Sequence, residues 1–268
     1  MIALAHAAAA VCYVGAAALA AAPFVRPVAA PVRSVLVLLA LGIGAHLVAL
    51  VALATTLGQW PLFGLGPALS SAAFLLASSL LAVEALTHDA TLALVGAPFA
   101  GVLTLLSRVA GLAPIQEPAG AQGAWLLAHV ALSFAGIAAF GTAAAAGTMY
   151  LVQRRELRSR RFGDVFRRFP PLATLDRVNH LASLVGWLGL TVGVVLAVSY
   201  TVVYRAVDLP KVLWAAAAWV GISVVTFGRL VGKWQARRAA LLTNVAFGVV
   251  LLLYLVLRAV GAAPGRFL

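Results

Sequence analysis

The stretch that decides the fold is residues 34–57, SVLVLLALGIGAHLVALVALATTL, in which His46 is the single ionisable side chain. As a helix rising 1.5 Å per residue it is about 36 Å long, enough to cross the roughly 30 Å hydrocarbon core of a bilayer. Working outward, seven more segments meet the same standard, near 3–22, 66–87, 91–110, 124–152, 180–205, 210–230 and 238–260. Turn formers separate them: Pro23, Pro27 and Pro31; Pro61, Gly64, Gly66 and Pro67; Pro114, Pro118 and Gly120; Pro170 and Pro171; Pro210. Over the 268 residues, 64% are hydrophobic and 10% charged, a composition from which no water-soluble surface can be built. The sequence therefore predicts an all-α integral membrane protein, a single transmembrane domain formed by a bundle of eight helices. The longest polar stretch, residues 153–179, is too short to fold alone.

A net charge of +12 would suggest nucleic acid in a soluble protein, but here the 19 Lys and Arg lie in short runs between apolar spans. That placement signals membrane orientation and excludes a phosphate-tracking surface, so no nucleic-acid partner is expected. With the N-terminus outside, Arg26, Arg33, Arg154, Arg155, Arg158, Arg160, Arg161, Arg167, Arg168, Arg177, Arg229, Lys233, Arg237 and Arg238 fall on the cytoplasmic side. Arg108, Arg205, Lys211, Arg258 and Arg266 fall outside. The lone Cys12 excludes an internal disulfide and a thiolate metal cage. Segment one has no basic region before its apolar run, which argues against a cleaved signal peptide. Gly141 and Gly147 read as close helix packing, and the basic run 154–168 as a stop-transfer signal in reach of anionic headgroups.

An ionisable side chain in hydrocarbon is costly unless partnered, so the five histidines are the first functional candidates. Counting along the helices places His46 near the midplane, His129 and His6 near the outer ends of their spans, and His88 and His180 at cytoplasmic ends. Each also has a packing role open to it, as interfacial or hydrogen-bonded helix residues. Neutral imidazole is a good axial ligand for haem iron, and two imidazoles from different helices can clamp a porphyrin edge-on within a bundle. Around His129 the aromatic Trp125, Phe134 and Phe140 and the small Ala128, Ala131, Ala135 and Gly136 permit such a slot. Glu84, a turn from the inner end of its span, is placed to pair with His180 or an arginine. No HExxH occurs, and no nucleophile with a base is evident.

Several motifs together resemble the cytochrome c assembly membrane protein family, which includes CcsA proteins and the compact HemX and YpjD types. They are AWLLAHVALSFAGIAAF (124–140), FPPLATLDRVNHLASLVGWLGLTVGVVLA (169–197), GAHLVAL (44–50), GKWQARRAALLTNVAF (232–247) and DLPKVLWAAAAWV (208–220). In the synthases a tryptophan-rich loop precedes an Asp-Pro-Lys element; here SYTVVYRAVDLPK (199–211) has Tyr200 and Tyr204 but no tryptophan, and Leu209 interrupts the element. Tyr254 and Phe227 stand where the synthases carry further histidines. The resemblance is nearest to the compact HemX or YpjD type.

What the resemblance implies is a bacterial cytoplasmic-membrane protein that binds haem b and holds, moves or presents it during cytochrome c maturation, with maturation subunits as partners. It is not expected to be an enzyme. His129 is the expected outer axial ligand and His46 its partner, with His6 relieving the depth mismatch of that pair; His180 and His88 form a second, inner pair. Two alternatives stay open: a membrane regulator or assembly partner of a haem-pathway enzyme, and an electron-transfer subunit carrying bis-histidine haem.

Overall fold

The structure, a computed structural model, describes residues 1–26, 28, 31–113, 120–160, 163, 167–204 and 209–260, and of residues 210, 211 and 254–260 the backbone alone. The breaks expected at Pro27, Pro114 and Pro118 lie outside the described residues. So do Arg161, Arg205, Asp208 and Arg266, and the side chains of Pro210, Lys211, Tyr254 and Arg258. Eight helices are described: α1 (Ile2–Val25), α2 (Val32–Leu57), α3 (Leu65–Thr87), α4 (Ala93–Val109), α5 (Ala121–Ser159), α6 (Leu172–Tyr204), α7 (Leu209–Leu230) and α8 (Ala236–Val260). No strand is found among the described residues.

Seven of the eight are long and apolar enough to cross a membrane, and the chain is an all-α membrane protein. The remaining helix, α4, has 17 residues, about 26 Å at the helix rise. It nevertheless runs back along α3 for most of that helix. Glu84 near the end of α3 accepts from the Ala93 N–H at the start of α4. Leu80 packs against Gly96, and Gly66 at the start of α3 abuts the Ser107 and Gly111 carbonyls at the end of α4.

Helices α1 to α4 form one packed group and α5 to α8 another, joined mainly where α3 meets α5. At that junction the Ser79 and Thr142 hydroxyls lie 2.6 Å apart. The closest pairing is α5 with α6, whose backbones approach because glycines face each other. A β-carbon on Gly136 would fall 2.8 Å from the Leu190 nitrogen, and one on Gly186 would fall 2.8 Å from the Gly136 oxygen. In lipid, where hydrocarbon does not drive helices together, such small-residue contacts supply the packing. Gly147 is likewise tight against Asn179 and the Ala240 carbonyl, and Gly141 against Phe247.

Helices α5 and α6 run beyond the expected spans, to Ser159 and from Leu172. The expected polar connection 153–179 is thus helical at both ends. Asp176 lies in α6 and forms an ion pair with Arg229 of α7 at 2.7 Å.

Candidate functional site

The first four helices bury two histidines side by side. His6 of α1 and His46 of α2 are 1% and 0% exposed, with ring centroids 5.3 Å apart. Both Nε2 atoms converge on the hydroxyl of Ser70 in α3, at 2.8 Å from His6 and 2.9 Å from His46. The Nδ1 of His6 lies 3.0 Å from the Ile2 carbonyl, and the Nδ1 of His46 lies 3.2 Å from the Tyr13 hydroxyl.

With neutral rings the proton positions follow from this arrangement. A carbonyl only accepts, so His6 Nδ1 carries the proton and its Nε2 is an acceptor. Ser70 must then donate its one proton to His6, and its oxygen accepts from His46 Nε2–H. The lone pair left on His46 Nδ1 takes the Tyr13 proton. The result is a chain of four bonds, Tyr13 to His46 to Ser70 to His6 to Ile2, with every donor used in one direction.

Replacing Ser70 with alanine would strand a lone pair on His6 and an N–H on His46. Each buried orphan costs about 1–3 kcal/mol. Ser70→Ala is therefore expected to lower the thermal unfolding midpoint in detergent clearly. Ser78→Ala is expected to have little effect, because among the described residues its hydroxyl bonds only the Phe74 carbonyl of its own helix. Equal effects would show that the chain of bonds does not contribute to stability.

His129 is held differently. Its Nδ1–H donates to the Gly193 carbonyl across the α5–α6 crossing at 2.7 Å. The approach is close because position 193 has no side chain; a β-carbon there would fall 2.4 Å from the Ser133 hydroxyl oxygen. Nδ1 anchored on a carbonyl fixes the tautomer and leaves the Nε2 lone pair for a metal, the arrangement by which proteins orient a ligating imidazole. No partner for this Nε2 is found among the described residues, and the residue is half-buried.

One turn nearer the start of α5, Trp125 donates its indole N–H to the Leu196 carbonyl at 3.1 Å and meets Tyr204 edge-on. The Gln122 amide donates to the Tyr200 hydroxyl at 2.8 Å. This cluster of amphipathic rings is of the kind that marks a membrane interface, and His129 stands about one turn along α5 from it.

The aromatic lining expected around His129 is accordingly only partly available. Trp125 is committed to α6. Phe140 is buried against Phe247, ring centroids 6.0 Å apart, in a separate core cluster.

The other expected residues are dispersed. The structure brings His46 together with His6, while His129 is at the α5–α6 crossing, so the expected His129–His46 pair is not a contact. His88 is exposed and ends α3 in the left-handed conformation at φ 52°. His180 lies a turn beyond Asp176 on α6, with its buried Nδ1 unpaired among the described residues. Glu84 is 0% exposed and among the described residues pairs with neither His180 nor an arginine; one of its oxygens accepts from the Ala93 N–H at 2.6 Å. That carboxyl thus caps the N-terminal end of α4, taking an N–H that has no acceptor within the helix.

Ser70, Tyr13 and the Gly193 carbonyl escape the sequence reading. The available signal is polar groups within apolar spans, Tyr13 in the first and Ser70 in the third.

The sequence model of a family described as "Cytochrome C assembly protein" matches residues 33–263. The chain belongs to this cytochrome c assembly family. Over 86 residues it is 34% identical to proteins named "Cytochrome c biogenesis protein CcsA" from Synechococcus elongatus and from a second Synechococcus strain. The match covers 31% of this chain and 26% of each relative, about a quarter of their length. No solved structure matches the chain. The helices, seven of them long and apolar enough to cross a membrane, agree with a membrane-integral family.

Proposed function

We propose that this protein binds haem b as cargo and holds or presents it during cytochrome c maturation, with His129 as an axial ligand. The observation that carries the reading is the His129 ring, tied through Nδ1 to the Gly193 carbonyl, with its Nε2 unclaimed beside an interfacial aromatic cluster. His46 and His6, buried together in the first helix group, are a separate ligand position and not the partner of His129 on one iron. Their Nε2 atoms converge on one hydroxyl. Turning the Ser70 hydroxyl away frees the His6 lone pair, and a tautomer shift against Tyr13 frees that of His46. The protein is of the compact HemX or YpjD type, in a bacterial cytoplasmic membrane with its basic loops inside and maturation subunits as partners. No ligand role is assigned to His88, whose backbone conformation accounts for its place, and no inner His88–His180 pair is proposed.

The test is the absorption spectrum and haem content of the full chain purified in detergent from haem-sufficient cells. A Soret band with near-stoichiometric haem is expected. A colourless protein that also fails to take up added haem would overturn the reading in favour of a regulator acting through its basic cytoplasmic loop. Tightly held haem that a partner reduces and reoxidises, with no transfer, would favour the electron-transfer alternative.

A further inference from the structure

At the end of the bundle where α1 gives way to α2 and α3 to α4, a partly open cavity of about 280 Å³ separates the two helix groups. Its wall is apolar and comes from the first group, chiefly Pro23, Phe24 and Val35. Its cations come from the second group: Arg167 and Arg168, just ahead of α6. The Arg168 guanidinium lies over the Phe24 ring at 5.7 Å from its centroid, and the Arg167 side chain is exposed. Asp89, the acid of the lining, accepts through one carboxylate oxygen from both the Thr91 N–H and the Thr91 hydroxyl. The start of α2 also opens here, adding the partial positive charge of a helix N-terminus to the arginines.

We infer that this cavity binds the phosphate of an acidic phospholipid. Guanidinium is the side chain best matched to a phosphate's paired oxygens. A soluble anion would leave the Phe24 and Val35 wall unused, whereas a lipid lays its glycerol and upper acyl carbons there and its phosphate on the rim. The cavity lies at helix ends, where hydrocarbon gives way to headgroups and basic side chains attract anionic lipid. Its volume is near the lower end of small-molecule sites, about 300 Å³, and so suits a headgroup rather than a whole macrocycle. A lipid held there ties the α1 to α4 group to the segment leading into α6, and so steadies the junction between the halves.

The test uses the full-length protein in neutral detergent, without haem. Thermal unfolding is followed against added phosphatidylglycerol, phosphatidylcholine or inorganic phosphate. Phosphatidylglycerol is expected to raise the midpoint with half-saturation at about a tenth of the phosphatidylcholine concentration or lower, the order lost with a charge-assisted bond. Inorganic phosphate is expected to have no effect. Arg167→Gln/Arg168→Gln should abolish the preference, while Arg154→Gln/Arg155→Gln, which removes the same charge outside the cavity lining, should keep it. Arg167→Gln alone changes an exposed side chain and serves if the double variant does not fold; it should weaken the preference. Equal stabilisation by the two lipids, full replacement by inorganic phosphate, or the same loss in the Arg154/Arg155 variant would overturn the proposal. A response to haem that depends on Arg167 and Arg168 and exceeds that to phosphatidylglycerol would also overturn it. Because the readout is lipid response without haem, its failure is separate from failure of the haem reading.

Discussion

Gly66→Ala is expected to leave little or no folded protein to purify. The added β-carbon would stand 1.8 Å from the Gly111 carbonyl oxygen and 2.8 Å from both the Gly111 carbonyl carbon and the Ser107 oxygen. These are backbone atoms, which cannot swing aside as a side-chain tip can. Overpacking into yielding cores costs about 1–3 kcal/mol. Here the α3–α4 hairpin itself must separate, and losses above about 4 kcal/mol approach the whole stability of many proteins. Gly44→Ala is the control, since a β-carbon at that position would meet nothing within 4 Å; it should be neutral or should gain up to about 1 kcal/mol from helix propensity. Yield, monodispersity and unfolding midpoint check both. A Gly66→Ala protein with wild-type yield and midpoint would show that α3 and α4 do not pack this closely.

The second large effect is on haem. His129→Ala should weaken haem binding by about a hundredfold or more, since disturbing even the outer partners of a metal ligand costs 10–100-fold. The fold should survive, because the ring's hydrogen bond is one contact to the Gly193 carbonyl and a lost hydrogen bond costs about 1 kcal/mol. Added imidazole should restore binding by occupying the vacated position. His88→Ala, at an exposed helix end, should bind haem as the wild type does. Haem titration by Soret absorbance checks all three. Unchanged affinity in His129→Ala would remove that residue from the ligand set.

How far the sequence can be read depends on what each signal measures. Hydropathy finds apolar helical segments, so residues 34–57 announce α2 directly. It cannot see a helix continue into polar surroundings, so α6, which starts at Leu172 and holds Asp176 in an ion pair with Arg229, is expected only from residue 180. Counting residues along helices gives depth but not which helix faces which. Family pattern therefore matches His46 with His129, whereas packing of α1, α2 and α3 joins it to His6 through a serine distant in sequence from both. Glu84 reads as a partner for a charged group because a carboxylate in hydrocarbon calls for one; the Ala93 N–H at the start of α4 offers another solution. His129 is legible as a candidate from its place near one end of an apolar span. The orientation of its ring depends on a backbone carbonyl, which no side-chain pattern reveals.

The central claim, that His129 coordinates haem iron, is tested most directly by the electron paramagnetic resonance spectrum of the ferric haem-loaded protein. The wild type should give a low-spin signal of nitrogenous axial ligation, which is lost or turns high-spin in His129→Ala and returns with imidazole. The same low-spin signal in wild type and His129→Ala would contradict the account.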